Sequence, residues 1–258
     1  MIRVRLLDTP MDIATMDETV DRALVAMRSG RRCQHVAMNV AKLVNARTDA
    51  DLAQDIRDSD IIGLDGMGVV VGLKAMGHAV PERVTGIDLF LRMMDECARR
   101  GFKPFLLGAR PDVLAETQAE LQRRYPGLVF AGAHHGYFKP EEEEGIRDLV
   151  RDSGAHCLFI AMPTPRKERF MRRWRDTLGT PFLMGVGGSF DVVAGRVSRA
   201  PALMQRFGLE WLHRMLQEPR RMLGRYLKTN AVFAVLLARE LAAHKIGGLS
   251  PARRKRAA

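Results

Sequence analysis

The chain has 258 residues, 47% of them hydrophobic, and a net charge of +11. This length suits one sizeable α/β domain with or without an appendage, and the hydrophobic content excludes a globally disordered chain. The segment from Arg199 to Ala258 holds 13 Lys and Arg against three Asp and Glu, so nearly all of the net charge lies there. Such a basic segment suits a phosphate-rich partner, namely nucleic acid, anionic lipid or a pyrophosphate substrate.

Short apolar strands alternate with amphipathic helices along the first 198 residues. The predicted strands cover residues 2–6, 34–39, 59–64, 104–107, 128–133, 157–162 and 182–186. The predicted helices cover residues 15–29, 41–58, 111–124 and 140–152, and a basic helix follows the loop 164–168. This rhythm predicts an α/β fold, a Rossmann-like parallel sheet with helices on both faces.

Strands stop near residues 198–201, where the sequence becomes helical and basic. We therefore expect an α/β catalytic domain over residues 1–198, a basic amphipathic helical appendage over 199–246, and a disordered basic tail over 247–258. The appendage places Trp211, Leu212 and Leu216 among many cations. This mixture fits a surface that meets something both apolar and negative, although an ordinary amphipathic helix with a solvated basic face has the same pattern.

Three widely spaced cysteines, Cys33, Cys97 and Cys157, indicate buried reduced thiols rather than a zinc site or a disulfide framework. The N-terminus lacks the apolar core of a signal peptide. No apolar run reaches the ~18–20 residues that span a bilayer. We expect a cytoplasmic protein whose contact with any membrane is peripheral.

The loops that follow parallel strands meet at one edge of the sheet. The candidate site residues in those loops are Asn39, Asp65, Gly66, Gly68, Gly108, Gly136, Lys167, Glu168, Gly187, Gly188 and Asp191. Asp65 follows an apolar strand and precedes glycines that would let a ligand approach the backbone. Its carboxylate could serve as a general base, or it could be a turn-forming or helix-capping residue.

Other patterns point to phosphate or argue against a metal. Gly187 and Gly188 could offer backbone N–H groups to a phosphate, although such a turn is common. Arginines whose guanidinium forks match phosphate oxygens are Arg83, Arg199, Arg214, Arg220, Arg221 and Arg225, each of which could also be an ordinary surface residue. His134 and His135 lack partners at ligand spacing and indicate a loop pair. Residues 58–60 (DSD) fit a helix end better than a metal-binding DxD motif.

Eight motifs in order carry a resemblance to a known family. They are DGMGVV (65–70), ERVTGIDL (82–89), FLLGARPDV (105–113), YPGL with HHGYF (125–138), PRKE (165–168), GVGGSFDVVAG (185–195), RAP (199–201) and GLEWLHRMLQEPRRMLGRYL (208–227). From about residue 2 to 227 the chain resembles the WecG/TagA/CpsF glycosyltransferases. It departs from them at Ala37, where members often have Thr, and at Lys167, where Gln is common.

The resemblance implies an inverting enzyme that moves a hexose-type sugar from a UDP-sugar to a polyprenyl-diphosphate-linked saccharide at the cytoplasmic membrane face. It implies no bound metal and no cofactor, and it makes Asp65 the base. Arg214, Arg221 and Arg225, with Gly187 and Gly188, would then stabilise the UDP leaving group. The remaining pocket residues would be Asn39, Arg83, Lys167 and Glu168.

Three alternatives compete with this interpretation. A nucleic-acid-binding protein with a basic arm explains the charge but leaves Asp65 and the glycine-rich strand ends unused, and its arm is poor in aromatic residues. A nicotinamide dehydrogenase disagrees with the spacing of Gly66, Gly68 and Gly72. A non-catalytic homologue fits the departures at Ala37 and Lys167. An exposed apolar appendage could also be buried in a homo-oligomer.

Overall fold

The computed structural model describes residues 1–248, without the side chains of Arg221, Met222, Arg225 and residues 245–248. The predicted disordered tail overlaps this part at residues 247–248, which belong to the last helix, and its other residues, 249–258, lie outside the described part.

An antiparallel hairpin opens the chain, formed by β1 (Ile2–Leu6) and β2 (Thr9–Ile13). Six parallel strands follow: β3 (Cys33–Met38), β4 (Ile61–Leu64), β5 (Pro104–Gly108), β6 (Gly132–His134), β7 (Cys157–Ala161) and β8 (Phe182–Gly185). Their order across the sheet is β4-β3-β8-β7-β5-β6. Five of the six strands are buried along their whole length, as expected for a parallel sheet covered on both faces. The predicted α/β fold is confirmed.

The helices connect and cover these strands. Those within the first 198 residues are α1 (Met16–Ser29), α2 (Val40–Asn45), α3 (Ala50–Arg57), α4 (Met67–Ala75), α5 (Gly86–Arg100), α6 (Pro111–Arg124), α7 (Glu143–Asp152), α8 (Arg166–Trp174) and α9 (Ser189–Val193). Those beyond residue 198 are α10 (Ala202–Arg206), α11 (Glu210–Gln217) and α12 (Pro219–Gly248). A short 3-10 helix, Pro140–Glu142, precedes α7.

Each face of the sheet has its own apolar core. The hairpin and helices α2, α3, α4, α7 and α8 pack on the first face, where Val36, Met38 and Leu64 of the sheet are buried. Helices α1, α5, α6 and α9 cover the second face, where Phe159 and Phe182 are buried. The sheet is therefore the middle of three layers, and its carboxyl edge is the place where the helices begin.

Two predicted elements differ from the structure, and four elements within residues 1–198 were not predicted. The single helix expected over residues 41–58 is two helices, because the Asp49 carboxylate accepts the N–H of Leu52 and starts α3 anew. The strand expected over 128–133 is shorter and lies later in the chain, since the pairing found among the described residues joins Gly132–His134 to residues 105–107 of β5. The elements without a counterpart among the predicted ones are β2, α4, α5 and α9.

The second half of α12 is docked on the α/β body. Phe233 is buried in the first core, and Leu236 and Leu237 pack against it. The Glu240 carboxylate accepts the backbone N–H of Leu7 in the hairpin turn, at 3.2 and 3.0 Å. The appendage therefore shares a hydrophobic core with residues 1–198. Within residues 1–248, no helix combines the length and the apolar character that crossing a bilayer requires.

Candidate active site

The carboxyl edge of the sheet brings most of the candidate residues together. Strands β4, β3, β8 and β7 are neighbours, so Asp65, Asn39, Gly187 and the loop 164–168 follow one another along this edge. The helix after β3 covers the first face, whereas the helix after β8 covers the second. Where consecutive crossovers leave in opposite directions, a crevice opens that binds ligands in many α/β proteins.

Asp65 lies at one end of this crevice and is half-buried. Its Oδ1 atom accepts the backbone N–H of Gly86 at 2.8 Å, which is one of the unpaired N–H groups in the first turn of α5. Its Oδ2 atom has no hydrogen-bond partner among the described residues. One oxygen therefore caps a helix and the other is left for a ligand, so the two roles considered for Asp65 are compatible.

The glycines beside Asp65 allow close packing within the protein. A Cβ at Gly66 would lie 2.9 Å from the Cα of Asn39, and one at Gly68 would lie 2.5 Å from Cγ2 of Val40. Asn39 caps α2 through its side chain, which accepts the N–H of Lys42 at 3.0 Å. These residues hold the β3 and β4 loops against each other and so fix the place of Asp65.

Gly108 and Gly136 lie farther along the edge. Gly108 has a φ of 129°, and a Cβ there would lie 2.4 Å from the carbonyl oxygen of Ala161. Gly136 donates its N–H to the Ala109 carbonyl at 2.9 Å. Arg166 holds the same loop by donating to the carbonyls of Gly136 and Phe138. In this half of the edge the glycines serve backbone contacts between β5, β7 and the loop after β6.

A buried ion cluster lies beneath the middle of the edge. Glu168 is fully buried, and its Oε1 atom is 2.9 Å from Nζ of Lys42 and 3.0 Å from Nζ of Lys167. Burial alone would raise the pKa of this carboxyl, but the two lysines and their hydrogen bonds lower it to about 2. Lys42 also donates to the Ala37 carbonyl at 2.7 Å. The cluster ties the end of β3 to the loop after β7.

The sequence analysis missed Lys42. This residue is 5% exposed although it stands on a helix, where a lysine in the sequence is normally assigned to solvent. The available signal was its spacing, because position 42 is one turn after the strand-end residue Asn39, on the side toward the loops. Lys167 and Glu168, which the sequence did place at the site, lie with Lys42 in the buried cluster.

Arg214 reaches the edge from the appendage. A Cβ at Gly188 would lie 2.4 Å from Nη2 of Arg214 and 3.0 Å from Nη1, so the guanidinium lies against the Gly187–Gly188 turn. Within the described part of the chain Arg214 forms no ion pair or hydrogen bond, and its Nε atom is buried without a partner. Asp191, half-buried in the first turn of α9, lies just beyond this turn. An unpaired guanidinium beside backbone N–H groups can bind an anion.

The other candidate arginines have different surroundings. Arg83 pairs with Glu210 at 2.6 Å, and Arg199 pairs with Asp88 at 2.5 Å. Arg220 is exposed on α12, and the side chains of Arg221 and Arg225 lie outside the description. Arg83 and Arg199 thus join the appendage to the body, and Arg214 alone of the described candidates meets the Gly187–Gly188 turn with its guanidinium unpaired.

Two sequence patterns weighed as metal motifs have structural roles. His134 contacts the His135 carbonyl through Nδ1 at 2.8 Å, and the two rings pack together. Asp58 ends α3, and Asp60 accepts the backbone N–H of Gln34 at 2.8 Å. The interpretation of residues 58–60 as a helix end is confirmed, whereas the predicted loop pair is only half a loop, because His134 ends strand β6 and His135 follows it. In the part of the chain described, no group of three or more His, Cys, Asp or Glu is arranged to hold a metal ion.

Comparison with known families adds the decisive observation. The model of the glycosyl transferase WecG/TagA/CpsF family matches residues 4–246, which is nearly all of the described chain. The chain belongs to this family. The resemblance carried by the eight sequence motifs is thereby confirmed. Its members are glycosyltransferases of cell-surface polysaccharide biosynthesis, so this WecG/TagA/CpsF protein is a transferase of that kind. Membership in the family implies a sugar donor and a lipid-linked acceptor, without specifying either.

The family match includes the appendage. It continues through α10 and α11 and ends at residue 246, two residues before α12 does. The carboxyl edge with Asp65, Arg214 and the buried ion cluster is therefore the candidate active site of a WecG/TagA/CpsF transferase. In this site, groups from the sheet and from the appendage face one crevice.

Proposed function

We propose that the protein is an inverting hexosyltransferase that takes its sugar from a UDP-sugar and transfers it to a polyprenyl-diphosphate-linked saccharide. One observation supports this most. The guanidinium of Arg214 lies on the Gly187–Gly188 turn, at the same edge as Oδ2 of Asp65, and neither group has a partner among the described residues. An anion site and a candidate base at one crevice are what transfer from a nucleotide sugar requires.

Asp65 is the proposed general base. Its Oδ2 atom takes the proton of the acceptor hydroxyl while that oxygen attacks the anomeric carbon of the donor. The bond between the anomeric carbon and the β-phosphate oxygen breaks on the opposite face, and its electron pair remains on UDP. One bond forms as one breaks, so the configuration at the anomeric carbon inverts. Gly86 holds the other carboxylate oxygen and thereby fixes the direction of Oδ2.

The departing UDP gains negative charge, which the protein must stabilise. Arg214 would pair with the diphosphate, and the N–H groups of Gly187 and Gly188 would donate to it. Arg221 and Arg225 lie near the start of the next helix, α12, and we include them as further phosphate ligands. Asn39, Arg83, Asp191 and Arg199 are assigned to the walls of the same site, and the buried Lys167 and Glu168 are assigned to its support from beneath. No metal or cofactor is required in this scheme.

The appendage is proposed to hold the enzyme on the inner face of the plasma membrane. Its exposed large apolar side chains are Leu203, Phe207, Trp211, Leu216, Leu223, Leu227, Val232 and Val235. Exposed cations on α12, including Arg220, Lys228 and Arg239, accompany them. Apolar side chains bury themselves at the headgroup boundary, and each nearby cation adds about 1 kcal/mol of attraction to an anionic leaflet. The lipid-linked acceptor is presented at that surface.

Transfer by the purified protein tests the proposal. A panel of UDP-sugars is offered with a polyprenyl-diphosphate-linked sugar in the presence of EDTA, and the product anomer is assigned by NMR. We expect transfer from one donor with inverted configuration. Retained configuration would contradict the single displacement, and loss of transfer in EDTA would contradict metal independence. Absence of transfer from every donor, together with no UDP binding by calorimetry, would indicate a non-catalytic homologue.

A further inference from the structure

The first turn of α5 is the place where the Asp65 loop meets the appendage. Arg83 stands just before this turn, and its side chain is only 14% exposed. Its Nη1 atom is 2.6 Å from Oε2 of Glu210 and donates to the Asp65 carbonyl at 3.3 Å. Its Nη2 atom donates to the Gln205 carbonyl at 3.2 Å. One guanidinium therefore touches the backbone of the proposed base and two residues of the appendage.

A second ion pair holds the same turn from its other side. Arg199 of the appendage lies 2.5 Å from Oδ1 of Asp88. The other oxygen of Asp88 accepts the hydroxyl of Thr85 at 2.6 Å, and Thr85 in turn caps α5. Between Arg83 and Asp88 lies Gly86, whose N–H binds Oδ1 of Asp65. The appendage thus holds both ends of the segment that orients the Asp65 carboxylate.

From this geometry we infer that Glu210 is a positioning residue for catalysis, acting through Arg83 on the backbone of Asp65. The inference rests on the proposed role of Asp65 as the base. Glu210 is 25% exposed, and its charge keeps the Arg83 fork directed at the Asp65 carbonyl. Without that charge Arg83 is free to turn toward solvent, and the loop loses the contact that fixes Oδ2 against the acceptor. Small misplacements of a reacting group have large effects on rate.

The Glu210→Gln variant tests this, because it keeps the size of the side chain and removes its charge. We expect kcat to fall about tenfold, with KM for the donor within about twofold, since the lost interaction orients the base and does not bind the donor. The pair is partly buried, so the melting temperature should fall somewhat, but the fraction of folded protein at the assay temperature should stay the same. Glu210→Asp should recover part of the rate. Glu120→Gln is the matched control, because it breaks the exposed ion pair with Arg123, far from the site, and should leave kcat unchanged.

A double-variant cycle shows whether Glu210 affects kcat through Arg83 or independently of it. If Glu210 acts through Arg83, adding Glu210→Gln to Arg83→Gln causes no further loss of kcat. Additive losses, or a rise in KM alone, would overturn the inference. A lowered melting temperature with a proportionate loss of active protein would reduce Glu210 to a structural role.

Amide hydrogen exchange gives a readout that does not depend on turnover. The N–H of Gly86 is bound to Asp65, so loosening of the loop should reduce its protection about tenfold in Glu210→Gln and leave it unchanged in Glu120→Gln. Unchanged protection in Glu210→Gln would contradict the inference even if the enzyme were inactive. Asp65→Asn separates this inference from the proposed base. If Asp65→Asn retained full transfer while the N–H of Gly86 lost protection in Glu210→Gln, Asp65 would not be the base, but the coupling of Glu210 to the loop would stand.

Discussion

Nζ of Lys42 lies 2.9 Å from Oε1 of Glu168, and this buried ion pair joins the helix after β3 to the helix after β7. Lys167 shares the same oxygen at 3.0 Å. The pair lies at the carboxyl edge of the sheet and links the first turns of α2 and α8. Its geometry leads to predictions about stability that can be separated from predictions about chemistry.

Glu168→Gln should destabilise the fold strongly. The substitution keeps the shape but leaves two buried ammonium groups without their shared anion, and removing one partner of a buried pair costs about 3–5 kcal/mol. Urea denaturation followed by circular dichroism measures the change. Glu116→Gln, which breaks an exposed pair with Arg196, is the control and should leave the midpoint nearly unchanged. Equal midpoints for the wild type and Glu168→Gln would contradict the account of the cluster.

The stabilisation by Glu168 should depend on pH in a defined window. Because its pKa falls from 4.5 to about 2 on folding, its contribution is fully present above pH 4.5 and is lost as the pH falls toward 2. The difference in unfolding free energy between the wild type and Glu168→Gln should therefore shrink across that range. Denaturation at a series of pH values provides the measurement. A difference that stayed constant down to pH 2 would show that the carboxylate is not held ionised by its lysines.

His35 should add a second pH dependence at higher pH. Its ring is buried without a hydrogen-bond partner, and burial, together with the charge of Lys42, lowers the pKa of the imidazole from 6.5 to about 3. Below pH 6.5 the imidazole therefore binds a proton more readily in the unfolded chain than in the folded one. The free energy of unfolding should fall for this reason as the pH falls from 6.5 toward 3. His35→Phe should flatten the stability curve over that window. A parallel curve for the variant and the wild type would exclude His35 as the source.

Gly188→Ala should weaken UDP binding with little effect on folding. The added methyl group would collide with the end of the flexible Arg214 side chain, which can move away, and the φ of −83° at Gly188 suits alanine. We expect about a tenfold loss of affinity in calorimetry and a similar loss in Arg214→Gln. Arg31→Gln, which removes an exposed cation at the opposite edge of the sheet, should bind UDP as the wild type does. Wild-type affinity in Gly188→Ala would argue against the Arg214 site.

Replacing Leu216 and Leu227 by Ser should release the protein from anionic vesicles. Both side chains are exposed on the appendage, and burying a leucine contributes about 1.5–3 kcal/mol, so the double variant should bind at least tenfold more weakly. Co-sedimentation with vesicles containing phosphatidylglycerol measures this. Val25→Ser, an exposed apolar residue on α1, is the control. If the double variant sedimented as fully as the wild type, the appendage would not be the membrane contact.

Much of the fold was predictable because its signals are local. A buried strand such as β7 is recognised from a short run of apolar residues, and a helix such as α6 from its apolar spacing and the proline at its start. The position of Asp65 at the carboxyl edge of the sheet was also predictable, since this residue directly follows strand β4. The break between α2 and α3 was not, because Asp49 as a helix cap competes with an apolar pattern that runs on through it.

Contacts between segments that are distant in the chain could not be predicted from the sequence. Gly66 and Gly68 suggest ligand approach, but their missing side chains make room for Asn39 and Val40. In the sequence Lys42 resembles a surface residue, because its buried partner Glu168 lies far along the chain, at the start of α8. The long basic helix α12 gives no sign in sequence that Phe233 enters the core. Each of these contacts depends on where another segment lies, which a one-dimensional pattern does not record.

The proposed role of Asp65 as the base of a sugar transfer is best examined in the Asp65→Asn variant. Single-turnover transfer and UDP affinity are measured side by side for the wild type and the variant. The account predicts a rate lower by on the order of 10³-fold with unchanged UDP affinity, because the amide keeps the Gly86 contact and cannot accept the proton. Transfer by Asp65→Asn at the wild-type rate would contradict it.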